Sequence, residues 1–250
     1  MTNNLREAGV IINGVIAQVN GDQFSGEIYL EEGVNTITAT ATDGSGLDVT
    51  DSIDVTLTPG TSALSLTAVP SSGIQPLEVT LEAEASLTIP VANYQWDIDG
   101  NGTIDVSGTT LSTITNSYPN PGMYFPRVIV TDNLGNIYEQ ATVVNVLSAA
   151  NVDALLQAKW EEMRAALTNG DVEGALRFFG ADTQEIYRAQ FTAFSPILNI
   201  IGNELGEIRF ITLQDHRAEY EITVARESVT YSYHLLFEMD VNGIWKIRWF

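Results

Sequence analysis

The sequence predicts a multidomain chain: two all-β sandwiches, then an α+β domain in which a curved antiparallel sheet packs on helices. Three observations predict it. Up to residue 148, Thr, Val and Ile alternate with polar residues, and turn residues recur at the spacing of sandwich strands. After Ala149 the apolar period becomes 3.6, which sets Leu156, Trp160, Met163 and Leu167 on one helical face. Within the strand-rich region, Thr58-Pro59-Gly60-Thr61-Ser62 is a short polar run rich in turn formers that links two strand-rich runs. The segments are therefore 1–59, 60–148 and 149–250.

The first segment opens with Ile12-Asn13-Gly14-Val15, and an Asn-Gly pair favours a tight hairpin. In the run that follows, Val34, Thr36, Thr38, Thr40 and Thr42 share one strand face, while Ile37, Ala39 and Ala41 share the other, the expected core face. Ala41-Thr42-Asp43-Gly44-Ser45-Gly46 ends the run in a turn. The hairpin and the Glu32-Gly33-Val34-Asn35-Thr36-Ile37 strand resemble bacterial Ig-like modules of the glucodextranase domain B kind. That family has a further strand or two before the hairpin, so Thr2 to Ile11 is expected to supply an abbreviated strand or the module is cut short.

In the second segment, Tyr94-Gln95-Trp96-Asp97 places a large apolar group mid-strand, a natural core plug. Ser117-Tyr118, Pro121-Gly122-Met123-Tyr124 and Val130-Thr131-Asp132-Asn133-Leu134-Gly135 follow in order. Pro126 cannot donate to a ladder and is expected at an edge or bulge. Together these motifs resemble a polycystic kidney disease (PKD) domain, an Ig-like sandwich. The resemblance implies a spacer or adhesion role at a cell surface.

The third segment begins with a helix from Val152 to Leu167, broken at Asn169-Gly170-Asp171. A short helix and a third helical stretch follow, the latter with Ile186, Ala189, Ala193 and Phe194 on one face and a kink at Pro196. Strands are expected at Glu207 to Leu213, Ala218 to Arg226, Val229 to Met239 and Ile244 to Phe250, the last two joined by Asp240-Val241-Asn242-Gly243. The break after the first helix and the closing Asn-Gly-x-Trp-Lys-Ile are similar to the nuclear transport factor 2-like superfamily. That similarity implies a cone with a pocket between sheet and helices, in domains that bind, dimerise or catalyse.

Composition narrows the partners. With 32 acids against 11 bases, the chain carries −21. Such a charge argues against nucleic acid and against anionic membranes. Without cysteine there are no disulfides and no thiolate metal sites. No run reaches the roughly 20 apolar residues of a membrane helix. Met1-Thr2-Asn3-Asn4-Leu5 has neither the basic start nor the apolar run of a signal peptide, so Met1 is read as the start of a piece of a longer, exported protein.

Candidate sites are few. Asp97, Asp99, Asn101 and Asp105 place oxygens at nearly every second residue around Gly100, like the first half of a calcium loop. The distal acid of such a loop is missing, because the twelfth position is Gly108, so calcium would act there as a structural staple. The plainer role of these side chains is to cap their own turn, as expected also of Asp43, Asp48, Asp132 and Asn133. Trp160, Arg164, Tyr231 and Tyr233 are candidate pocket-lining residues, with core packing the plainer role of the aromatics. Strand alternation sends His234 and Glu238 outward and sets His216 beside a turn, so no catalytic residue is assigned. The expected function is a non-catalytic extracellular or cell-surface array. The sandwiches act as spacer or adhesion modules and the C-terminal domain binds or self-associates as a homodimer, with other surface proteins or polysaccharide as partners of the chain. Two alternatives stand: a small-molecule pocket enzyme or carrier in the C-terminal domain, and an accessory carbohydrate-binding region of a larger hydrolase. The latter needs an exposed aromatic platform, for which Tyr29, Tyr118 and Tyr124 are candidates.

Overall fold

A computed structural model describes residues 8–58, 63–214, 216–226 and 229–250. The expected link at Pro59–Ser62, the residues before Ala8 and Asp215 in the turn beside His216 lie outside the described residues. Among the described residues strands dominate, and the four α-helices follow Ser148. The chain forms two compact units: residues 17–39 with 51–149, and residues 1–16, 40–50 and 150–250.

The first of these units is built on a β-sandwich. One sheet runs in the order Val106–Gly108, Val91–Asp97, Arg127–Asp132, Ile137–Ala141; the facing strands are Thr113–Tyr118, Leu77–Ala85 and Leu64–Val69. Val79, Leu81, Val128, Val130, Val144 and Val146 alternate into the core around Trp96, which is fully buried. The Trp96 indole N–H donates to the Leu111 carbonyl at 2.9 Å, so burying the ring strands no donor. Tyr118 is also buried, and its hydroxyl donates to the Ile98 carbonyl at 2.8 Å. Burial, the largest cause, pushes its phenol up to about 12. Pro126 stands between the strands Gly122–Tyr124 and Arg127–Asp132, outside both ladders.

Within the same unit, the hairpin Gln18–Asn20/Gln23–Ser25 docks on the strand Val144–Leu147 through the buried amide of Asn145 and through Asn20, whose side-chain N–H donates to the Val146 carbonyl at 2.9 Å. Asn145 lies between two core valines and points to the opposite face. Its amide N–H donates to the Gln18 carbonyl (3.1 Å) and the Ser25 hydroxyl (3.3 Å), and its Oδ1 accepts from Asn20 (3.0 Å).

The first 59 residues divide between the two units rather than clustering alone. The reason is a scarcity of apolar burial: among their described residues only Val10, Ile12 and Ala17 are buried apolar side chains. Ala8–Ile12 forms the abbreviated strand, and the Asn13-Gly14 turn follows with both residues at positive φ. The long hairpin Gly33–Asp43/Asp48–Leu57 carries its threonines as expected. Thr36 bonds Asp54 (2.7 Å), Thr38 bonds Ser52 (3.0 Å), Thr40 bonds Thr50 (3.2 Å) and Thr42 bonds Asp48 (2.7 Å). The opposite face is only partly covered: Ile37, Ala39 and Ala41 are half-buried, and Val49 and Ile53 are exposed.

The other unit holds a four-stranded antiparallel sheet in the order Ile208–Gln214, Arg217–Arg226, Val229–Met239, Trp245–Trp249. Helix α1 (Ala149–Thr168) lays Leu156, Trp160, Met163 and Leu167 on it. The helix ends because Gly170 adopts φ 72°, a left-handed conformation that glycine accepts without strain, and Asp171 then caps helix α2 (Val172–Leu176) by accepting from the Gly174 N–H at 2.8 Å. Helix α3 (Gln184–Ala193) is followed by a single 3₁₀ turn, Ser195–Ile197, at Pro196, and by helix α4 (Leu198–Glu204). Here one expectation fails. The buried face of α3 is Tyr187 and Phe191, whereas Ile186, Ala189, Ala193 and Phe194 face solvent. Aromatic bulk decided the register, because Tyr187, Phe191 and Phe179 form one cluster with Phe250. In the same unit Gly9 abuts the Asn242-Gly243 turn so closely that an added Cβ would fall 1.9 Å from the Asn242 carbonyl oxygen.

Candidate functional site

Three places could carry a ligand. The first is the Asp97 loop. Its geometry starts from Asp97, buried at the end of its strand. One carboxylate oxygen accepts from the N–H groups of Gly100 (2.9 Å) and Asn101 (3.1 Å). The other accepts from Gly102 N–H (2.9 Å) and the Arg127 guanidinium (3.3 Å). Asp99 accepts from Asn101 (3.0 Å), Asn101 accepts from Thr103 N–H (2.8 Å), and Asp105 accepts from Ile98 N–H (2.7 Å). Gly100 is required here: its φ is 76°, and a Cβ would sit 2.6 Å from the Phe125 carbonyl oxygen. Carboxylate oxygens of Asp97, Asp99 and Asp105 lie within 4.8 Å of one another. The donor set is all oxygen and suits a hard cation. Asp97 is already engaged by four N–H donors, so Asp99 and Asp105, both exposed, would present the oxygens to an ion.

The second place is a cleft of about 250 Å³ in the C-terminal part of the chain. Its walls are Ile201 and Leu205 at α4, Ile222 and Val224 from one strand, Tyr233 from the next, and Phe250; among the described residues Glu204 is the one acidic side chain that borders it. Of the four residues expected to line a pocket, Tyr233 alone borders this cleft. Trp160 is a core residue behind it, edge-on to Phe250 at 5.2 Å, with its N–H donated to the Gly206 carbonyl at 2.9 Å. Tyr231 shares the inward face of its strand but lies near the strand's start and is half-exposed, as is Tyr233; Leu235 and Phe237 on that face are buried. Arg164 pairs with Glu161 at 2.7 Å and borders a separate shallow depression with Thr168, Asn169 and Asn203. Sequence reasoning missed Ile201, Leu205 and Phe250. The 198, 201, 205 apolar spacing of α4 is the signal that could have found the first two.

The third place is the outer face of the same sheet. His234 stands there, as alternation requires, 3.3 Å from Glu219 and with its ring centroid 4.7 Å from that of Trp249. Glu221 accepts from Ser232 and from the Arg209 guanidinium (2.9 Å), and these two bonds hold its carboxyl below the ordinary range. Glu238 is bridged by Arg217 and Arg248, each at 2.8 Å. Elsewhere in this unit burial, and then the charge of Asp153, raises the Tyr220 phenol above its ordinary value; its hydroxyl donates to that carboxylate at 3.0 Å. Of the aromatic platform candidates, Tyr118 is buried, Tyr124 is half-buried with its ring 4.6 Å from Tyr118, and Tyr29 is fully exposed.

No protein-family model and no curated protein matches the chain. Solved structures do. Carbohydrate-binding modules of the beta-sandwich superfamily are similar at 32% identity over 36% of this chain and 37% of theirs, with a TM-score of 0.29. The PKD1 domain of Vibrio cholerae metalloprotease PrtV is similar at 24% identity over 34% of this chain and 93% of that domain, TM-score 0.26. The PKD1 domain of Vibrio anguillarum Epp is similar at 21% identity over 34% and 92%, TM-score 0.27. The chain thus spans little more than a third of the carbohydrate-binding-module structure it matches. Among the described residues no helix is long and apolar enough to cross a membrane.

Proposed function

We propose that the chain is a non-catalytic segment of an extracellular or cell-surface protein, with sandwich modules over 1–59 and 60–148 as spacers and the domain over 149–250 as the binding or self-association head. The sandwiches read as Ig-like, the second as PKD-type, and the head as nuclear transport factor 2-like. The two-sheet order around Trp96 supports the PKD-type reading, and the helix-then-meander order supports the other. The observation that carries the head's role is the solvent face of α3 and the turn after it. Ile186 on α3, Phe194 at its end, Ile197 in the 3₁₀ turn and Ile200 on α4 are all exposed within a short stretch of chain. Against catalysis stands the placement of titratable groups. The two histidines lie away from the cleft, and the tyrosines and acids with displaced titrations are fixed by burial or by hydrogen bonds to their own turns and neighbours.

Light scattering on the eluting full chain tests the head. The expected result is a particle of twice the chain mass or more that Ile186→Asp and Phe194→Asp return to monomer. A wild type that is monomeric at high concentration and binds neither surface protein nor polysaccharide would overturn the reading. Calcium at Asp97, Asp99, Asn101 and Asp105 is proposed as a staple of the loop; a rise in melting temperature with added calcium that Asp99→Asn abolishes is the test. A second reading, a carrier of small apolar molecules, is favoured by the apolar walls of the 250 Å³ cleft. Thermal-shift screening with lipophilic ligands tests it, with Tyr233→Ala as the control expected to lose the shift.

A further inference from the structure

The outer face of the C-terminal sheet is used neither by the cleft nor by the α3 surface, yet it is built like a recognition surface. Trp249 is 44% exposed on an edge strand, with the His234 ring against it. His234, Glu221 and Arg209 occupy one register line across three adjacent strands. Next to the His234 ring a shallow depression of about 330 Å³ is bordered by Arg209, Phe210, Ile211, Glu221, Ser232 and His234, and by Tyr233, which it shares with the cleft. Neighbouring strands lie about 4.8 Å apart, so the row from the Trp249 strand to the Arg209 strand is about 14 Å long. It is therefore a groove-like strip, aromatic at one end and polar along its length.

Charge selects the occupant. The acids of the strip are matched within it: Glu221 by Arg209 and Ser232, Glu219 by His234, Glu238 by Arg217 and Arg248. An anionic polymer would meet a chain of net −21. A neutral, hydroxyl-rich ligand meets no such repulsion. It can donate to the Glu221 and Glu219 carboxylates and accept from Arg209 and Ser232 without leaving a charge unpaired. The apolar C–H face of a pyranose ring suits the exposed indole of Trp249. We infer that this strip binds a neutral glycan chain, with Trp249 as the stacking platform and Glu221, Arg209 and Ser232 as the hydroxyl-reading groups. This deepens the reading of the C-terminal domain as the binding head and rests on it.

The test is native electrophoresis of the full chain through gels containing mixed-linkage β-glucan, galactomannan, dextran or amylose, with light scattering on the same samples. At least one polymer is expected to retard the wild type. Trp249→Ala is expected to weaken that retardation by about tenfold or more, and Arg209→Ala by several-fold, as for a central anchor and a peripheral contact. Arg209 has a side chain 74% exposed, so this variant decides the matter alone if Trp249→Ala fails to fold. Retardation in none of the four gels, or retardation indifferent to both substitutions, overturns the inference. If no gel retards the wild type but Trp249→Ala lowers the particle mass, the strip joins copies of the chain: the glycan inference falls and the head reading stands. If the wild type is monomeric, pulls down no surface protein and is unretarded, both fall.

Discussion

The sandwich and the C-terminal domain both bury a tryptophan completely, but they treat the rest of their apolar surface differently. Around Trp96, alternating valines close the core, and the loops are tied by side chains to their own backbone: Asp97 holds one turn and Asp132 another. Around Trp160 the core is larger and more aromatic, yet the domain leaves Phe194, Ile186, Tyr233 and Trp249 substantially exposed. The sandwich also leaves Val69, Phe125, Leu134 and Ile137 exposed, but only Phe125 among these is aromatic, whereas Phe194, Tyr231, Tyr233 and Trp249 are exposed in the C-terminal domain. A surface that meets a partner is enriched in uncovered aromatics. This contrast supports the proposal of spacing for one and recognition for the other.

The sharpest way to break the contrast is to empty each core. Trp96→Ala and Trp160→Ala should each cost about 3–5 kcal/mol of unfolding free energy, since each removes a wholly buried indole and orphans the carbonyl it bonds. Urea unfolding followed by far-UV circular dichroism measures both. If Trp160→Ala cost less than about 1 kcal/mol, the C-terminal core would be loosely packed and its exposed aromatics would need no partner to explain them. Asn145→Ala comes next, at about 1–3 kcal/mol, because it leaves the Gln18 carbonyl and the Asn20 amide without their buried partner. That loss should appear with the sandwich transition, and its absence would mean that the Gln18–Ser25 hairpin is held by other contacts.

The pH dependence of the sandwich loops is smaller and has a definite sign. Asp132 accepts from Asn136 through its side-chain amide and its N–H and from Leu134 N–H, and the Asn136 side-chain bond is the chief cause of a carboxyl held below its ordinary value of 3.8. A depressed folded-state value stabilises fully above the unfolded value and is lost as pH falls through the folded one. The stability difference between wild type and Asp132→Asn should therefore be constant from pH 7 to about 5 and shrink below pH 4. Urea midpoints across that range measure it; a difference that persists unchanged at the acid end would show that the carboxylate is not what holds the turn.

Sequence made the sandwich more legible than the head, for a physical reason. A strand's period of two has only two registers, so Val128, Val130, Tyr220 and Ile222 could be assigned inward from alternation, and His234 outward. The Asp-Gly and Asn-Gly turns are written in local chemistry, which explains why Asp132 and the Asp97 loop were readable as caps. Helix α3 has no such two-way choice. Its apolar residues, Ile186, Tyr187, Phe191 and Phe194 with Ala189 and Ala193, spread over about 200° of the helix at about 100° per residue, and only the tertiary cluster with Phe179 and Phe250 decides which part of that arc is covered. Tyr231 shows a different limit. Alternation gives its face correctly, but not how far along the strand the helices reach, and that end effect leaves it half-exposed. The cleft, too, depends on Phe250 meeting α4, a contact with no local signature.

The smallest expected effect tests whether exposed polar order means stability at all. On the long hairpin, Thr38 and Ser52 bond each other at 3.0 Å in the open, while Thr42, in the same ladder, bonds Asp48 at 2.7 Å from a buried position. The two bonds look alike, but water reaches both ends of the first and only the exposed Asp48 end of the second. Thr38→Val should change the unfolding free energy by no more than about 0.5 kcal/mol, because water replaces the lost partner and valine keeps the β-branched shape. Thr42→Val should cost more, about 1 kcal/mol, because the bond it breaks is shielded at the buried threonine even though the Asp48 carboxylate regains water. Chemical denaturation of the two variants side by side reads the difference. Equal costs would mean that the ladder acts as one cooperative unit, and the hairpin would then join the sandwich as a part stabilised by its hydrogen bonds rather than by what it buries.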